Sequence, residues 1–364
     1  MEKPEALPHI SSLILYEGGK PIEELQRELG LKEVIKLASN ENPLGTSPRV
    51  AQFFKENDFN SALYPDGSGY YLKNKLAVKY KIKPENILLG NGSNEIINFI
   101  GQCYLESGTE GLFSDKAFIA YRMSVEAVRA QCVVAETADG FSHSLENFKK
   151  CISNKTKVIF IANPNNPTGN LLDKEELLQF IHEVPKHILI VLDEAYYEYN
   201  NEELYINSVQ EAVSRTNLLV LRTFSKIYGL AGYRLGYAIA NSEIIKALNH
   251  VREPFNISSP GLKAAEIALD DEEFIDKSRK NNTEGKKYLE EEFIKSHIEY
   301  IPTFGNFFLV NVGNGIEVTK KLEAMGIIVR PMAGYGFKEH IRVTIGTPQE
   351  NKTFIKALNQ VYKK

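Results

Sequence analysis

The stretch Leu218-Leu219-Val220-Leu221-Arg222-Thr223-Phe224-Ser225-Lys226 decides how the rest of this chain is interpreted. Its first four residues form an apolar run that is typical of a buried parallel strand. The lysine after it is therefore expected at the carboxyl edge of a sheet, where open α/β folds bind their ligands. Hydroxyls at 223 and 225, with Arg234 eight residues beyond Lys226, suit a phosphate. The lysine amine suits an aldehyde held as an imine. A solvated loop with ordinary basic residues is the alternative.

The composition is that of a globular protein with a small net charge. Of its 364 residues, 43% are hydrophobic, which is enough for one large domain and a smaller one. The formal net charge of −4 argues against a nucleic-acid surface, and every apolar run is too short to span a bilayer. Three cysteines without a Cys-x-x-Cys pair fit a reducing compartment better than a disulfide frame or a zinc site. The acidic N-terminus is unlike a signal peptide. We expect a cytoplasmic protein with no metal and no membrane partner.

The order of the predicted elements indicates two domains. Strands are expected at 86–89, 157–162, 188–192, 218–221 and 235–240, and helices at 94–105, 174–183 and 242–251. This alternation predicts an α/β domain with a parallel sheet and right-handed crossovers. Beyond residue 260 the pattern changes to a charged helix at 273–295, strands at 307–312 and 341–345, and a helix near 318–325. We expect a large domain over 41–260, and a small α+β domain over 261–364 that the N-terminal arm 1–40 joins.

The segment Gly90-Asn91-Gly92-Ser93-Asn94-Glu95 links a predicted strand to a predicted helix. Ser93 is expected to cap that helix, with Asn94 in its first turn. The free amide groups and the positive end of the helix dipole favour a phosphate there. An ordinary capped turn has the same pattern. The spacing has no Walker lysine, so a nucleoside triphosphate site is poorly supported.

Three further segments carry polar or aromatic residues just after predicted strands. Phe118 and Tyr121 can stack on a planar heterocycle, or can simply belong to the core. In the turn 163–169, Asn166 can donate a hydrogen bond to a phenolate oxygen. Asp193 ends a buried strand, where a carboxylate is costly unless it is paired. A protonated pyridinium nitrogen would pair with it and Tyr196 would bond the same ring's oxygen, although a helix-capping aspartate is the simpler alternative.

The order Asn166-Pro167-Thr168-Gly169, Asp193-x-Ala195-Tyr196, Ser225-Lys226 and Arg234 resembles the fold-type I pyridoxal-phosphate aminotransferases. More narrowly, the chain is similar to the histidinol-phosphate aminotransferase family. The segments that carry this narrower resemblance are 16–25, 39–45, Tyr64-Pro65-Asp66-Gly67, Val329-Arg330-Pro331 and 341–346. The similarity runs over nearly the whole chain. It implies a mostly parallel seven-stranded sheet between helices, a small α+β domain, and pyridoxal 5′-phosphate as the cofactor.

The resemblance also implies a role for each cofactor-binding residue. Lys226 would hold the cofactor as an imine and move the proton between substrate and cofactor, while Asp193 would pair with the pyridinium nitrogen. The ring would be stacked by Phe118 and held at O3′ by Asn166 and Tyr196. The residues expected at the phosphate are Ser93, Asn94, Thr223, Ser225 and Arg234. Tyr64 would reach the phosphate in a neighbouring subunit, which implies a homodimer with two shared sites.

The substrate side is implied by the same resemblance. Arg342 matches the family's carboxylate-binding arginine, and Tyr16, Asn42 and Arg330 are expected beside it. The family usually has proline where this chain has Gly18, which leaves the backbone near Tyr16 freer. For Arg330, a surface position or a salt bridge is the alternative.

The reaction implied by the resemblance is a step of histidine biosynthesis. An amino group would move reversibly between L-histidinol phosphate and 2-oxoglutarate, giving imidazole-acetol phosphate and L-glutamate. An aromatic amino-acid aminotransferase and a phosphothreonine decarboxylase share the scaffold and stay open. A ligand sensor built on the same domain is disfavoured, because no basic recognition helix is visible.

Overall fold

The structure is a computed structural model, and it describes residues 4–13 and 18–362. Within these ranges the strands are β1 (Ile35–Lys36), β2 (Ile87–Gly90), β3 (Glu110–Ser114), β4 (Gln131–Ala135), β5 (Thr156–Ala162), β6 (Leu189–Asp193), β7 (Leu218–Thr223), β8 (Gly236–Ala240), β9 (Tyr300–Ile301), β10 (Phe307–Asn311), β11 (Ile327–Ile328), β12 (Arg330–Pro331) and β13 (His340–Thr344). The α-helices are α1 (Ile22–Leu29), α2 (Pro48–Glu56), α3 (Tyr70–Tyr80), α4 (Gly92–Tyr104), α5 (Ile119–Ala127), α6 (Leu145–Cys151), α7 (Lys174–Glu183), α8 (Ser208–Ser214), α9 (Ser242–Asn249), α10 (Ser259–Ala268), α11 (Glu272–Lys295), α12 (Gly315–Ala324) and α13 (Pro348–Val361).

The larger sheet has seven strands in the order β2-β8-β7-β6-β5-β3-β4. Its strands run parallel except β8, which is antiparallel to both of its neighbours, β2 and β7. The expected mostly parallel seven-stranded sheet is therefore confirmed. Since the central strands are parallel, their carboxyl ends meet at one edge, and the polar residues that follow them are brought together there.

Helices cover both faces of this sheet. Alternate residues of β5 point to opposite sides, so that Val158 and Phe160 pack in a core with α4, α5 and α9, while Ile159 and Ile161 pack with α6, α7 and α8. A strand that is buried on both faces has no polar alternation, which is why this run of sequence is continuously apolar.

The smaller unit has an antiparallel sheet in the order β12-β13-β10-β9, and a separate parallel pair of β1 with β11. Its core includes residues of α11, α12 and α13 together with Leu37, which follows β1. Strand β1 and Leu37 therefore pack with the smaller unit. The membership of the arm 1–40 in that domain and the division at residue 260 stay predictions. The apolar core of the larger unit includes residues of α10, Ile275 of α11 and Phe307 of β10.

Some local predictions differ from the structure. Helix α4 begins at Gly92 and is preceded by Asn91, so Ser93 lies in its first turn and is not its cap. The reason is the positive φ of Gly92, +75°, which lets the chain turn into the helix earlier. Helix α9 ends at Asn249, two residues before the predicted end. In the described part of the chain, no helix combines the length and apolarity that crossing a membrane requires.

Candidate active site

A cavity of about 210 Å³ lies where the carboxyl ends of β5, β6 and β7 face the smaller unit. Most of the residues predicted for the site from the sequence line it. They are Ser93, Asn94, Phe118, Asn166, Asp193, Tyr196, Thr223, Ser225, Lys226, Arg234, Arg330 and Arg342. Residues that are far apart in the sequence therefore surround one small space, with aromatic, acidic and basic groups on its walls.

Asp193 is the last residue of β6 and is only 6% exposed. One carboxylate oxygen accepts a hydrogen bond from the Tyr121 hydroxyl at 2.8 Å, and the other accepts one from the backbone amide of Ala195 at 3.2 Å. Burial raises the pKa of Asp193 to about 6, while the bond from Tyr121 acts in the opposite direction. A positively charged group in the cavity would stabilise this carboxylate.

Lys226 follows β7 and points its amine into the same cavity. Its Nζ donates to the carbonyl oxygen of Ser39 at 3.2 Å and lies 5.6 Å from the centre of the Tyr196 ring. Burial, together with the positive charge of Arg342, lowers the pKa of Lys226 to about 7. A large share of the amine is therefore neutral and nucleophilic near neutral pH.

One end of the cavity is suited to an anion. The first turn of α4 contributes Ser93 and Asn94, and none of its amides is capped by the side chain of Asn91. Close packing fixes this turn, since a Cβ on Gly236 would lie 2.4 Å from the Ser93 nitrogen.

Arg234 adds a positive charge at the same end. Its Nη1 lies 3.5 Å from the Ser225 hydroxyl, and a Cβ on Gly92 would lie 2.7 Å from its Nη2. The Ser225 amide in turn donates to Thr223 Oγ1 at 3.1 Å. Hydroxyls, a guanidinium and helix amides are the donors that phosphate groups prefer.

Arg342 lies on β13 and contacts the larger unit. Its side chain is buried, at 9% exposed. Its Nη1 donates to Asn166 Oδ1 at 2.6 Å and its Nη2 donates to the carbonyl oxygen of Ala38 at 2.8 Å. Across the cavity, Tyr196 Oη accepts from Asn40 Nδ2 at 3.0 Å, and burial raises the pKa of Tyr196 to about 12. The arrangement keeps Tyr196 protonated and presents a guanidinium to an anionic ligand.

Among the described residues, two that were predicted for the site, Asn42 and Tyr64, are not on the cavity wall. Both amide hydrogens of Asn42 are used elsewhere, on the carbonyl oxygen of Ile227 at 2.7 Å and on Ser278 Oγ at 2.9 Å. Asn42 therefore holds the backbone beside Lys226, and its role in binding substrate stays a prediction. Tyr64 is 81% exposed with its ring stacked on Phe255, so its role in a neighbouring subunit stays a prediction. Tyr16 lies outside the described residues.

Several lining residues were not identified as functional from the sequence. Ser39 and Asn40 follow β1, and Tyr335 comes from a loop before β13, where its hydroxyl accepts from the Ile119 amide at 3.4 Å. For Tyr121 the sequence left ring stacking and a core position open; the residue is fully buried, bonds Asp193 and stacks on Phe160 with ring centres 4.9 Å apart. The sequence signal for Tyr335 was weak: a tyrosine between two glycines in a short loop.

Comparison with known proteins gives consistent results. A family model described as aminotransferase class I and II matches residues 32–358. A protein of Idiomarina loihiensis named histidinol-phosphate aminotransferase 1 is 44% identical over 355 residues, which cover 97% of this chain and 96% of that protein. A histidinol-phosphate aminotransferase of Moorella thermoacetica is 44% identical over 360 residues, or 98% and 93% of the two chains. The crystal structure of histidinol-phosphate aminotransferase from Sinorhizobium meliloti, in complex with pyridoxal-5′-phosphate, matches with a TM-score of 0.90 at 25% identity, covering 99% of this chain and 98% of that one.

Proposed function

Because the chain belongs to the class I and II aminotransferase family, we propose that it transfers an amino group between L-histidinol phosphate and 2-oxoglutarate. The products are imidazole-acetol phosphate and L-glutamate, in a step of histidine biosynthesis. The family resemblance found in the sequence is confirmed by the match over residues 32–358. The relatives at 44% identity are named for this substrate, which favours it over the aromatic amino-acid and decarboxylase alternatives.

One observation carries the proposal: a lysine amine and a buried carboxylate face the same cavity, which has a site for an anion at one end. The cavity residues fit pyridoxal 5′-phosphate. Asp193 is a buried carboxylate whose pKa is raised to about 6, and a protonated ring nitrogen would offset the cost of its burial. The first turn of α4, the Ser225 hydroxyl and Arg234 would hold the phosphate.

When bound, pyridoxal 5′-phosphate supplies an electron-poor ring that stabilises the electron pair left behind when a bond to the substrate's α-carbon breaks. Lys226 is the residue placed to move the proton, since its amine lies in the cavity and its pKa is lowered to about 7. A base with a pKa close to the working pH can both accept and return a proton. Asp193 would hold the proton on the ring nitrogen, and Asn166 and Tyr196 would orient the ring's oxygen.

Arg330 and Arg342 are the positive groups that would bind the anionic ends of both substrates in turn. Both line the cavity from the smaller unit, on β12 and β13. A guanidinium fits a phosphate and a carboxylate with the same paired geometry, so the same two side chains suit L-histidinol phosphate and 2-oxoglutarate. Tyr16 is expected to help but lies outside the described residues.

We further propose that the enzyme works as a cytoplasmic homodimer. Several large apolar side chains around the start of α3 are exposed, namely Leu63 at 69%, Tyr64 at 81%, Tyr70 at 61% and Tyr71 at 69%. An exposed group of this kind is typical of a surface that a second subunit covers. The three cysteines are free thiols, which agrees with a reducing compartment.

The proposed reaction is tested by purifying the protein with pyridoxal 5′-phosphate and measuring both its visible absorption and its turnover. We expect turnover with L-histidinol phosphate and 2-oxoglutarate, and loss of both turnover and the cofactor's bound absorption band in Lys226→Ala. Lys286→Ala is the matched control, because Lys286 is also half-buried but bonds Thr303 away from the cavity. Unchanged activity in Lys226→Ala, a preference for phenylalanine, or release of carbon dioxide would contradict the proposal.

A further inference from the structure

The segment Ala38-Ser39-Asn40, which follows β1, bonds three side chains of the cavity. Each of its residues makes one hydrogen bond to a cavity side chain: Ala38 O with Arg342, Ser39 O with Lys226, and Asn40 Nδ2 with Tyr196. The sequence motifs assign Asn40 no role of its own, and the proposed amino-group transfer does not use it.

Asn40 is buried, and its backbone lies in the left-handed region. It is 1% exposed and has a φ of +54°, a conformation that asparagine adopts more often than most residues with a side chain. Its backbone amide donates to Thr344 Oγ1 at 3.0 Å, and its carbonyl oxygen accepts from Asn306 Nδ2 at 3.1 Å. These two bonds hold the Asn40 backbone in place beside the cavity.

In the structure, the Asn40 amide has its oxygen toward Thr344 and its nitrogen toward Tyr196. Thr344 Oγ1 accepts from the Asn40 backbone and donates to Asn40 Oδ1 at 3.5 Å, so the side-chain oxygen faces Thr344. The NH₂ group then faces Tyr196 Oη at 3.0 Å. An amide NH₂ group can only donate, so the Tyr196 oxygen is an acceptor in this bond and its own proton is left for another partner.

We propose that Asn40 is a positioning residue that directs the hydroxyl proton of Tyr196 into the cavity, toward the oxygen substituent of the bound pyridine ring. This inference rests on the proposed function, because that ring belongs to pyridoxal 5′-phosphate. Thr344 lies on β13 two residues beyond Arg342, so the strand that carries the substrate-binding arginine also anchors the residue that orients Tyr196.

A double-mutant cycle tests whether Asn40 acts through Tyr196. The variants are Asn40→Gly, Tyr196→Phe and the double variant, and the readouts are the dissociation constant for pyridoxal 5′-phosphate and the absorption maximum of the bound cofactor. Glycine removes the donor but keeps the positive φ favourable. We expect each single change to weaken cofactor binding by roughly tenfold, as for one lost hydrogen bond. In protein that already carries Tyr196→Phe, adding Asn40→Gly should raise the dissociation constant for the cofactor by less than about twofold and leave the absorption maximum unchanged.

Two further variants serve as a control and as a replacement in this test. Lys81→Gly relieves a similar φ of +55° at an exposed position away from the cavity, and should leave cofactor binding unchanged. If Asn40→Gly fails to fold, Asn40→Asp replaces it, because a carboxylate keeps the side-chain shape and cannot donate to Tyr196 when ionised.

Losses that add in the double variant would overturn the inference, as would wild-type cofactor binding in Asn40→Gly. Neither result would affect the proposed function, since both are measured on protein that binds the cofactor. Wild-type protein that binds no pyridoxal 5′-phosphate would refute the proposed function and this inference with it.

Discussion

At the scale of single residues, the burial of Lys226 and Asp193 lowers the stability of the folded protein when the cofactor is absent. Burial is the main cause of both shifts, which lower the pKa of Lys226 to about 7 and raise that of Asp193 to about 6. In each case the charged form is less favourable in the folded chain than in water. Strongly shifted pKa values cluster at functional sites.

Replacing Lys226 is therefore expected to stabilise the cofactor-free protein. The folded pKa of about 7 is below the ordinary value of 10.5, so between these values the folded chain binds fewer protons than the unfolded chain. Stability of the wild type must then rise with pH across that window. Lys226→Met should raise the free energy of unfolding near pH 7 by up to about 4 kcal/mol, with the gain shrinking toward pH 10. Urea unfolding at several pH values measures this, and a gain independent of pH would contradict it.

Some site residues are predicted by local sequence pattern and others are not. Asp193 ends a continuous apolar strand, and Asn166 and Lys226 follow such strands closely, so their position at the sheet edge follows from local pattern. Asn40 and Tyr335 reach the cavity from the smaller unit, through contacts between segments about 300 residues apart in the case of Asn40 and Thr344. Long-range packing of this kind leaves no periodic signal in the sequence.

At the scale of elements, a buried ion pair joins the ends of β6 and β7 next to the site. Glu194 follows Asp193, and its carboxylate accepts from Arg222 Nη2 at 2.7 Å and from Nε at 3.0 Å. Both residues are at most 2% exposed, and the guanidinium lies 3.6 Å from the centre of the Tyr197 ring. Removing one partner would leave the other charge buried and uncompensated.

We predict that Arg222→Met lowers the free energy of unfolding by about 3–5 kcal/mol. The double variant with Glu194→Leu should recover a large part of that loss, because no unpaired charge remains. The control is Lys321→Met in the exposed pair of Lys321 with Glu317, which should cost less than about 1 kcal/mol. Equal losses in the buried and exposed pairs, measured by chemical unfolding, would show that burial does not set the cost.

The junction between α4 and β8 leads to a second prediction at this scale. A Cβ on Gly236 would meet backbone atoms of Ser93 and Gly92 at 2.4 Å and 2.7 Å, so α4 would have to move away from the anion end of the cavity. Gly236→Ala should weaken binding of pyridoxal 5′-phosphate by at least about tenfold and cost roughly 1–3 kcal/mol of stability. Gly232→Ala is the control, because nothing lies within 4 Å of its Cβ position. Similar effects of the two changes would argue against close packing as the cause.

At the scale of the whole molecule, the sequence predicts the larger sheet better than the smaller unit. Strands β5, β6 and β7 are long and apolar, and their alternation with helices specifies parallel order. Strands β1, β11 and β12 have two residues each, too few to show a period, so their pairing could not be anticipated. The boundary near residue 260 rests on a change of composition and stays a prediction. The larger core also includes residues of α10, Ile275 and Phe307, since α10 packs against α2 and α3.

The proposed dimer with shared sites predicts complementation between two defective chains. A mixed dimer of a Lys226→Ala subunit and a Tyr64→Ala subunit has both defects in one site and neither in the other, provided that Tyr64 serves the neighbouring subunit. The purified mixed dimer should then have about half of the wild-type activity, while each homodimer of a variant is strongly impaired. Subunits carrying two different affinity tags allow the mixed form to be isolated. Activity no greater than the mean of the two variants would mean that each site is complete within one chain.

The proposed reaction is tested most directly by the amount of imidazole-acetol phosphate that the cofactor-loaded protein forms from L-histidinol phosphate when no oxo acid is present. We predict a single equivalent for each Lys226, followed by continuous turnover once 2-oxoglutarate is added. Failure to form that equivalent, or a faster reaction with phenylalanine under the same conditions, would contradict the assignment.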